Sequence, residues 1–185
     1  MGDILKITLI SDTHTRHNKL NDLLPGGDVL IHAGDVTSVG NFTETLDFIK
    51  WLDKIDNYNQ KIFIAGNHDY LFQERATQTL EMLLDHKSIT YLQDSKTFLG
   101  GEKNIKVWGS PWQPEFNSWA FNLKRGSDEI KEKWDHGFMP DVHGQSKYDY
   151  DILRGTRNKQ TIKQLIQRFG KDVSEEDEGF FTVLR

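Results

Sequence analysis

Apolar residues are arranged in two ways along this chain, as short unbroken runs and as runs broken at helical spacing. Residues 4–10 (Ile-Leu-Lys-Ile-Thr-Leu-Ile), 29–32 (Val-Leu-Ile-His) and 61–65 (Lys-Ile-Phe-Ile-Ala) are of the first kind and read as buried strands. Each stops abruptly in polar residues, at Ser11-Asp-Thr-His14, Gly34-Asp35 and Gly66-Asn-His-Asp69. Phe42, Leu46, Ile49 and Leu52 recur at spacings of 4, 3 and 3, which predicts a helix over 42–55 with Asn41 and Glu44 as a capping pair. A second helix is expected over 75–84. Strands alternating with helices indicate an α/β unit with a parallel sheet.

Beyond this point the pattern changes. Residues 89–92 and 97–99, then 105–108 after the Gly100-Gly101 turn, predict short strands joined by hairpins. A Trp- and Pro-rich loop covers 110–116, and a helix is expected over about 127–134. From Gly144 onward the chain is polar, with helical spacing over 161–169 and a closing strand over 180–184.

Composition narrows the function. A length of 185 residues fits a single domain over 1–185. Lys and Arg total 23 against 28 Asp and Glu, a net charge of −5, which argues against nucleic acid as a partner. The absence of cysteine excludes disulfides, iron–sulfur sites, cysteine-ligated zinc and a thiol nucleophile. No stretch approaches the ~20 apolar residues that cross a bilayer, and the opening MGDILK lacks signal-peptide features. The expectation is a cytoplasmic protein with no membrane partner, and a homodimer stays open.

The candidate chemistry lies where the three strands end. In open α/β sheets, ligands bind beyond the carboxyl ends of the strands. Asp12, His14, Asp35, Asn67 and His68 can therefore meet although they span some 55 positions. Carboxylate, amide oxygen and imidazole all suit divalent ions such as Mn, Fe, Zn or Mg. A carboxylate like Asp35 bridges two ions through its two oxygens. Such a pair favours attack of a metal-bound hydroxide at phosphorus, and His68, with Asp69 beside it, is placed to protonate the leaving group. Each motif alone reads as a turn or cap; the three in order, each ending an apolar run, read as a site.

These blocks resemble the calcineurin-like metallophosphoesterase superfamily. Tyr91-Leu-Gln-Asp-Ser95, Gly109-Ser-Pro-Trp-Gln-Pro114 and Trp119-Ala-Phe-Asn122 with Arg125-Gly126 narrow the resemblance to its metallophosphoesterase-domain-containing branch, over about residues 4–142. The resemblance implies a four-layer α/β/β/α sandwich with two metals at one end of facing sheets. It implies phosphodiester hydrolysis, with cyclic nucleotides among the substrates. It assigns Asp12 and His14 to the first metal, Asp35 to the bridge, Asn67 to the second metal and to substrate, and His68 to proton donation and substrate contact.

The chain also departs from that pattern. The superfamily supplies three later histidines, from a Thr-His-Gly-Pro-Pro-like block and a Gly-His-x-His-like block, yet all seven histidines here lie at or before position 143. Asp141-Val-His143-Gly144 offers a remnant of the first block, making His143 a further metal candidate, and Asp149 and Asp151 are acidic substitutes. Residues 143–185 read as a truncated or divergent polar tail. An alternative therefore stands beside the dinuclear phosphodiesterase or phosphatase: an impaired or inactive pseudoenzyme that binds nucleotide or a partner protein. His17 could meet a substrate phosphate, although a surface loop is the commoner outcome. His32 reads as packed, and His86 and His136 as surface positions. Trp108, Trp112, Trp119 and Phe116 could wall a pocket in which a nucleobase stacks.

Overall fold

The first four strands are β1 (Ile7–Ile10), β2 (Gly27–Ala33), β3 (Tyr58–Ile64) and β4 (Ile89–Tyr91). They pair side by side in chain order and all in parallel. Ile10 lies opposite His32, His32 opposite Phe63, and Phe63 opposite Tyr91, so one row of residues crosses the whole sheet. Asp12, Asp35 and Asn67 follow that row by two, three and four residues. Register thus delivers all three motifs to a single edge.

Parallel strands added in one direction through right-handed crossovers put their helices on one face. The connections are α1 (Phe42–Lys54) and the consecutive α2 (Tyr70–Glu74) and α3 (Ala76–Leu83). Side chains alternate accordingly. Leu30 and Phe63 pack with Phe48, Ile49, Trp51, Leu52 and Phe72 on the helical side. Val29, Ile31, Ile62 and Ile64 pack on the other side with Leu92, Leu99 and Val107. These last residues belong to or precede β5 (Ser95–Leu99) and β6 (Ile105–Ser110), an antiparallel hairpin whose β6 also pairs in parallel with β9 (Phe180–Leu184). Gly109 of β6 lies tight against the parallel sheet, since a Cβ there would lie 2.7 Å from the Ile64 Cγ2. Two-residue strands β7 (Gln113–Pro114) and β8 (Asn122–Leu123) pair with each other, and α4 (Asp128–Trp134) follows.

The computed structural model describes residues 4–100, 105–134 and the backbone of 180–184. Among them no helix is long and apolar enough to cross a membrane. Helices, parallel sheet and second sheet make three of the four expected layers, and the helix expected over 161–169 lies outside the described residues. One expectation needs correction. The strand over 89–92 does not join the next by a hairpin; β4 completes the parallel sheet beside β3. Three residues were too few to show which sheet would take them. The capping pair forms by halves: Asn41 Oδ1 accepts from the Glu44 N–H at 3.0 Å, whereas the Glu44 carboxylate reaches past Asn41 to the N–H groups of Ser38 and Val39.

Candidate metal centre

The three strand-end loops are tied together by their own backbone. Asp12, His14 and Thr15 donate their N–H groups to the carbonyls of Gly34, Asp35 and Val36, each at 3.0 Å. To follow that path the chain enters the left-handed region at Asp12 (φ 56), His14 (42), Thr15 (64) and Asp35 (55). Such a conformation costs roughly 1–2 kcal/mol for a residue with a side chain, and its clustering at one edge is the mark of a site maintained against strain. Gly34 (φ +91) sits where loops two and three touch, and a Cβ there would lie 2.9 Å from the Ala65 carbonyl oxygen.

Asp69 knits the second and third loops. Its fully buried carboxylate accepts from the N–H groups of Gly66 (2.7 Å), Val36 (3.2 Å) and Thr37 (2.9 Å), and from the Thr37 hydroxyl at 2.6 Å. Burial pushes its carboxyl above the usual carboxylate range, against the four donors that favour the charge. Asp69 therefore acts on the backbone around His68.

His14, Asp35 and His68 each bring one ligand atom to within 4.8 Å of the others. His14 Nδ1 lies 3.0 Å from the Thr37 carbonyl and His68 Nδ1 lies 2.8 Å from the Ser38 carbonyl. A carbonyl only accepts, so both Nδ1 atoms carry the proton and both Nε2 atoms are left as acceptors. His14 Nε2 lies 3.7 Å from Asp35 Oδ2, and the other Asp35 oxygen accepts from the His68 backbone N–H at 3.0 Å. Acceptors facing acceptors repel unless a cation or a proton stands between them, so the donor set fits a divalent ion. Carbonyls that fix the tautomer of a ligating imidazole are the usual support of a metal site.

The other expected site residues are distributed as follows. Asp12 stands at the margin, its side chain 54% exposed and its Oδ1 4.0 Å from His14 Nε2. Asn67 is buried beside His68, and its Nδ2 has no hydrogen-bond partner among the described residues. The structure does not bring His17 to the cluster. It is 0% exposed, packed against Phe48 and Trp51, with Nε2 3.0 Å from the Asp47 carboxylate. Burial lowers its pKa, opposed by Asp47. Neither a phosphate contact nor a surface loop describes a ring so enclosed. His32 is packed as expected, its Nε2 2.9 Å from the Thr13 hydroxyl. His86 is only partly exposed and is bonded to Asp53. His136, His143, Asp149 and Asp151 lie outside the described residues. Thr37 and Ser38 are supporting residues that motif reading passed over, and Asp69 was noted only as the neighbour of His68. A backbone carbonyl leaves no mark in a sequence, but an acidic residue directly after Asn-His was visible.

A model of the calcineurin-like phosphoesterase family matches residues 5–173. Among curated proteins, the chain is 36% identical over 151 residues to metallophosphoesterase domain-containing protein 1 of Homo sapiens, covering 70% of this chain and 44% of that protein. It is 37% identical over 160 residues to a protein of Emericella nidulans named probable rhamnogalacturonate lyase C, covering 81% of this chain and 14% of that protein. A UPF0046 protein of Caenorhabditis elegans is 32% identical over 158 residues, covering 71% and 38%. The chain spans less than half the length of each of these relatives.

Proposed function

The chain belongs to the calcineurin-like phosphoesterase family, and from that premise we propose that it is a metal-dependent phosphodiesterase acting on small phosphodiesters, nucleotides among them. The observation that carries this reading is the meeting of His14, Asp35 and His68 within 4.8 Å, with both imidazoles fixed to present Nε2. Asp12 and His14 would hold one ion, Asp35 would bridge to a second, and the Asn67 amide oxygen would serve that second ion. Divalent ions of the Mn, Fe, Zn or Mg type polarise phosphoryl oxygens and make water acidic enough to attack near neutral pH.

The chain's own residues supply the remaining chemistry. The His68 backbone N–H holds one Asp35 oxygen and so sets the tilt of the carboxylate. The Asn67 Nδ2, without a partner among the described residues, is a donor for a phosphoryl oxygen. His68 is anchored through Nδ1 to Ser38, which aims Nε2; an imidazolium formed by a second proton on that nitrogen would hand it to the leaving alkoxide in a fixed direction. Trp119 covers the His68 ring at 4.8 Å and keeps bulk water from that side.

Added Mn²⁺ is expected to raise hydrolysis of bis(4-nitrophenyl) phosphate, and Asp35→Asn to lower it by about 100-fold or more. Equal rates in the variant and the parent would remove the catalytic reading. A second reading keeps the same site without turnover, as a nucleotide-binding pseudoenzyme. Calorimetry with AMP or GMP at saturating Mn²⁺ separates the two, since binding without turnover selects the pseudoenzyme.

A further inference from the structure

The loop between β7 and β8 continues the line of the site histidines. The His14 and His68 ring centroids are 4.7 Å apart, His68 and Trp119 are 4.8 Å apart, and Trp119 and Phe116 are 5.4 Å apart. One row of four rings therefore runs from the candidate ligands out to solvent, where Phe116 is 56% exposed. The loop is anchored to the metal-site segment rather than merely near it. Ala120 donates its N–H to the Asn67 carbonyl at 3.1 Å, Tyr70 Oη donates to the Ser118 carbonyl at 3.2 Å, and the Phe121 N–H donates to Gln73 Oε1 at 2.6 Å. Asn122 Nδ2 donates to the carbonyls of Phe116 and Asn117 and fixes the outer end.

A loop that only sealed the core would turn its rings inward, as Phe121 does. Phe116 is instead held outward against Trp119, with the two planes at 82°. Such a corner suits a flat group that stacks on one ring and sets its edge against the other. The geometry points to Phe116 and Trp119 as a stacking platform for an aromatic ester group of the substrate, so that the site selects phosphodiesters bearing a planar aryl or heteroaryl group. This inference rests on the phosphodiesterase reading for its kinetic test and is independent of that reading for its binding test.

In the kinetic test the full chain with Mn²⁺ hydrolyses bis(4-nitrophenyl) phosphate and methyl 4-nitrophenyl phosphate. Both release the same leaving group, so only the second ester group differs. Stacking on one aromatic side chain corresponds to about tenfold. The parent should favour the diaryl ester by about that factor, mainly through KM, and Phe116→Ala and Trp119→Leu should lose most of the preference while Trp119→Phe retains it. An unchanged ratio in Phe116→Ala overturns the platform. The binding test is calorimetry with diphenyl phosphate and dimethyl phosphate, again with Mn²⁺. Tenfold weaker binding of diphenyl phosphate to Phe116→Ala, with no turnover of either ester by the parent, sinks the hydrolytic reading and sustains the platform. Absence of diphenyl phosphate binding to the parent, or equal binding to both proteins, overturns it.

Discussion

At the carboxyl ends of β1–β3, His14, Asp35 and His68 crowd acceptor against acceptor on a strained backbone. At the opposite end of the same sheet, another histidine and aspartate meet under different rules. Asp53 accepts from His86 Nδ1 and from the Ser88 hydroxyl, and the buried Lys61 ammonium donates to the carbonyls of Asp53 and Ile55 at the end of α1. Those bonds hold the Asp53 carboxyl below its usual range, the hydroxyl bond foremost. Every donor there faces an acceptor, and no residue of that cluster is left-handed. The contrast separates a cluster that holds a fold together from one whose geometry calls for a ligand.

The comparison can be broken most severely at Asp69. Asp69→Ala strands three buried N–H groups, while the Thr37 hydroxyl keeps the His68 carbonyl, and should cost about 3–5 kcal/mol in urea unfolding. A cost below about 1 kcal/mol would show that the strand-end loops hold together without it. Next in size is the response to metal. Mn²⁺ at a hundredfold excess over its dissociation constant should stabilise the chain by about 2.7 kcal/mol, a melting shift that EDTA reverses. At the opposite end, Asp53→Ala should cost about 1 kcal/mol and leave that metal-induced shift intact; loss of the shift would mean that the two ends are not independent.

The smallest effect concerns His17. Burial depresses its folded pKa, so below about pH 6.5 the unfolded chain binds a proton that the folded chain resists. Stability is therefore full above that pH and falls on acidification until the folded imidazole itself charges. His17→Gln should flatten this part of the stability–pH curve, and an unchanged slope would assign the loss to other groups.

What the sequence disclosed follows from where information is local. Strands β2 and β3 were legible because strands covered on both faces read as continuous apolar runs; β1 shares the apolar run although it lies at the sheet edge with Leu9 exposed, and the polar ends of all three marked the candidate ligand loops. The place of β4 was not legible, since three residues carry no sign of which sheet takes them. His17 was misread because its neighbours Arg16, Asn18 and Lys19 are polar, while the enclosing rings of Phe48 and Trp51 lie more than thirty positions away. The stacking of Trp119 on His68 likewise joins residues fifty-one positions apart. Motifs named the candidate ligands; only the folded chain shows which carbonyls orient them.

Manganese titration of chelator-treated protein, followed by calorimetry in the parent and in His14→Ala and Asp35→Asn, tests the central claim most directly. Saturable binding to the parent that weakens at least tenfold to a hundredfold in both variants is the predicted result. Equal affinity in all three proteins, or no binding to the parent, would contradict a metal centre at the strand ends.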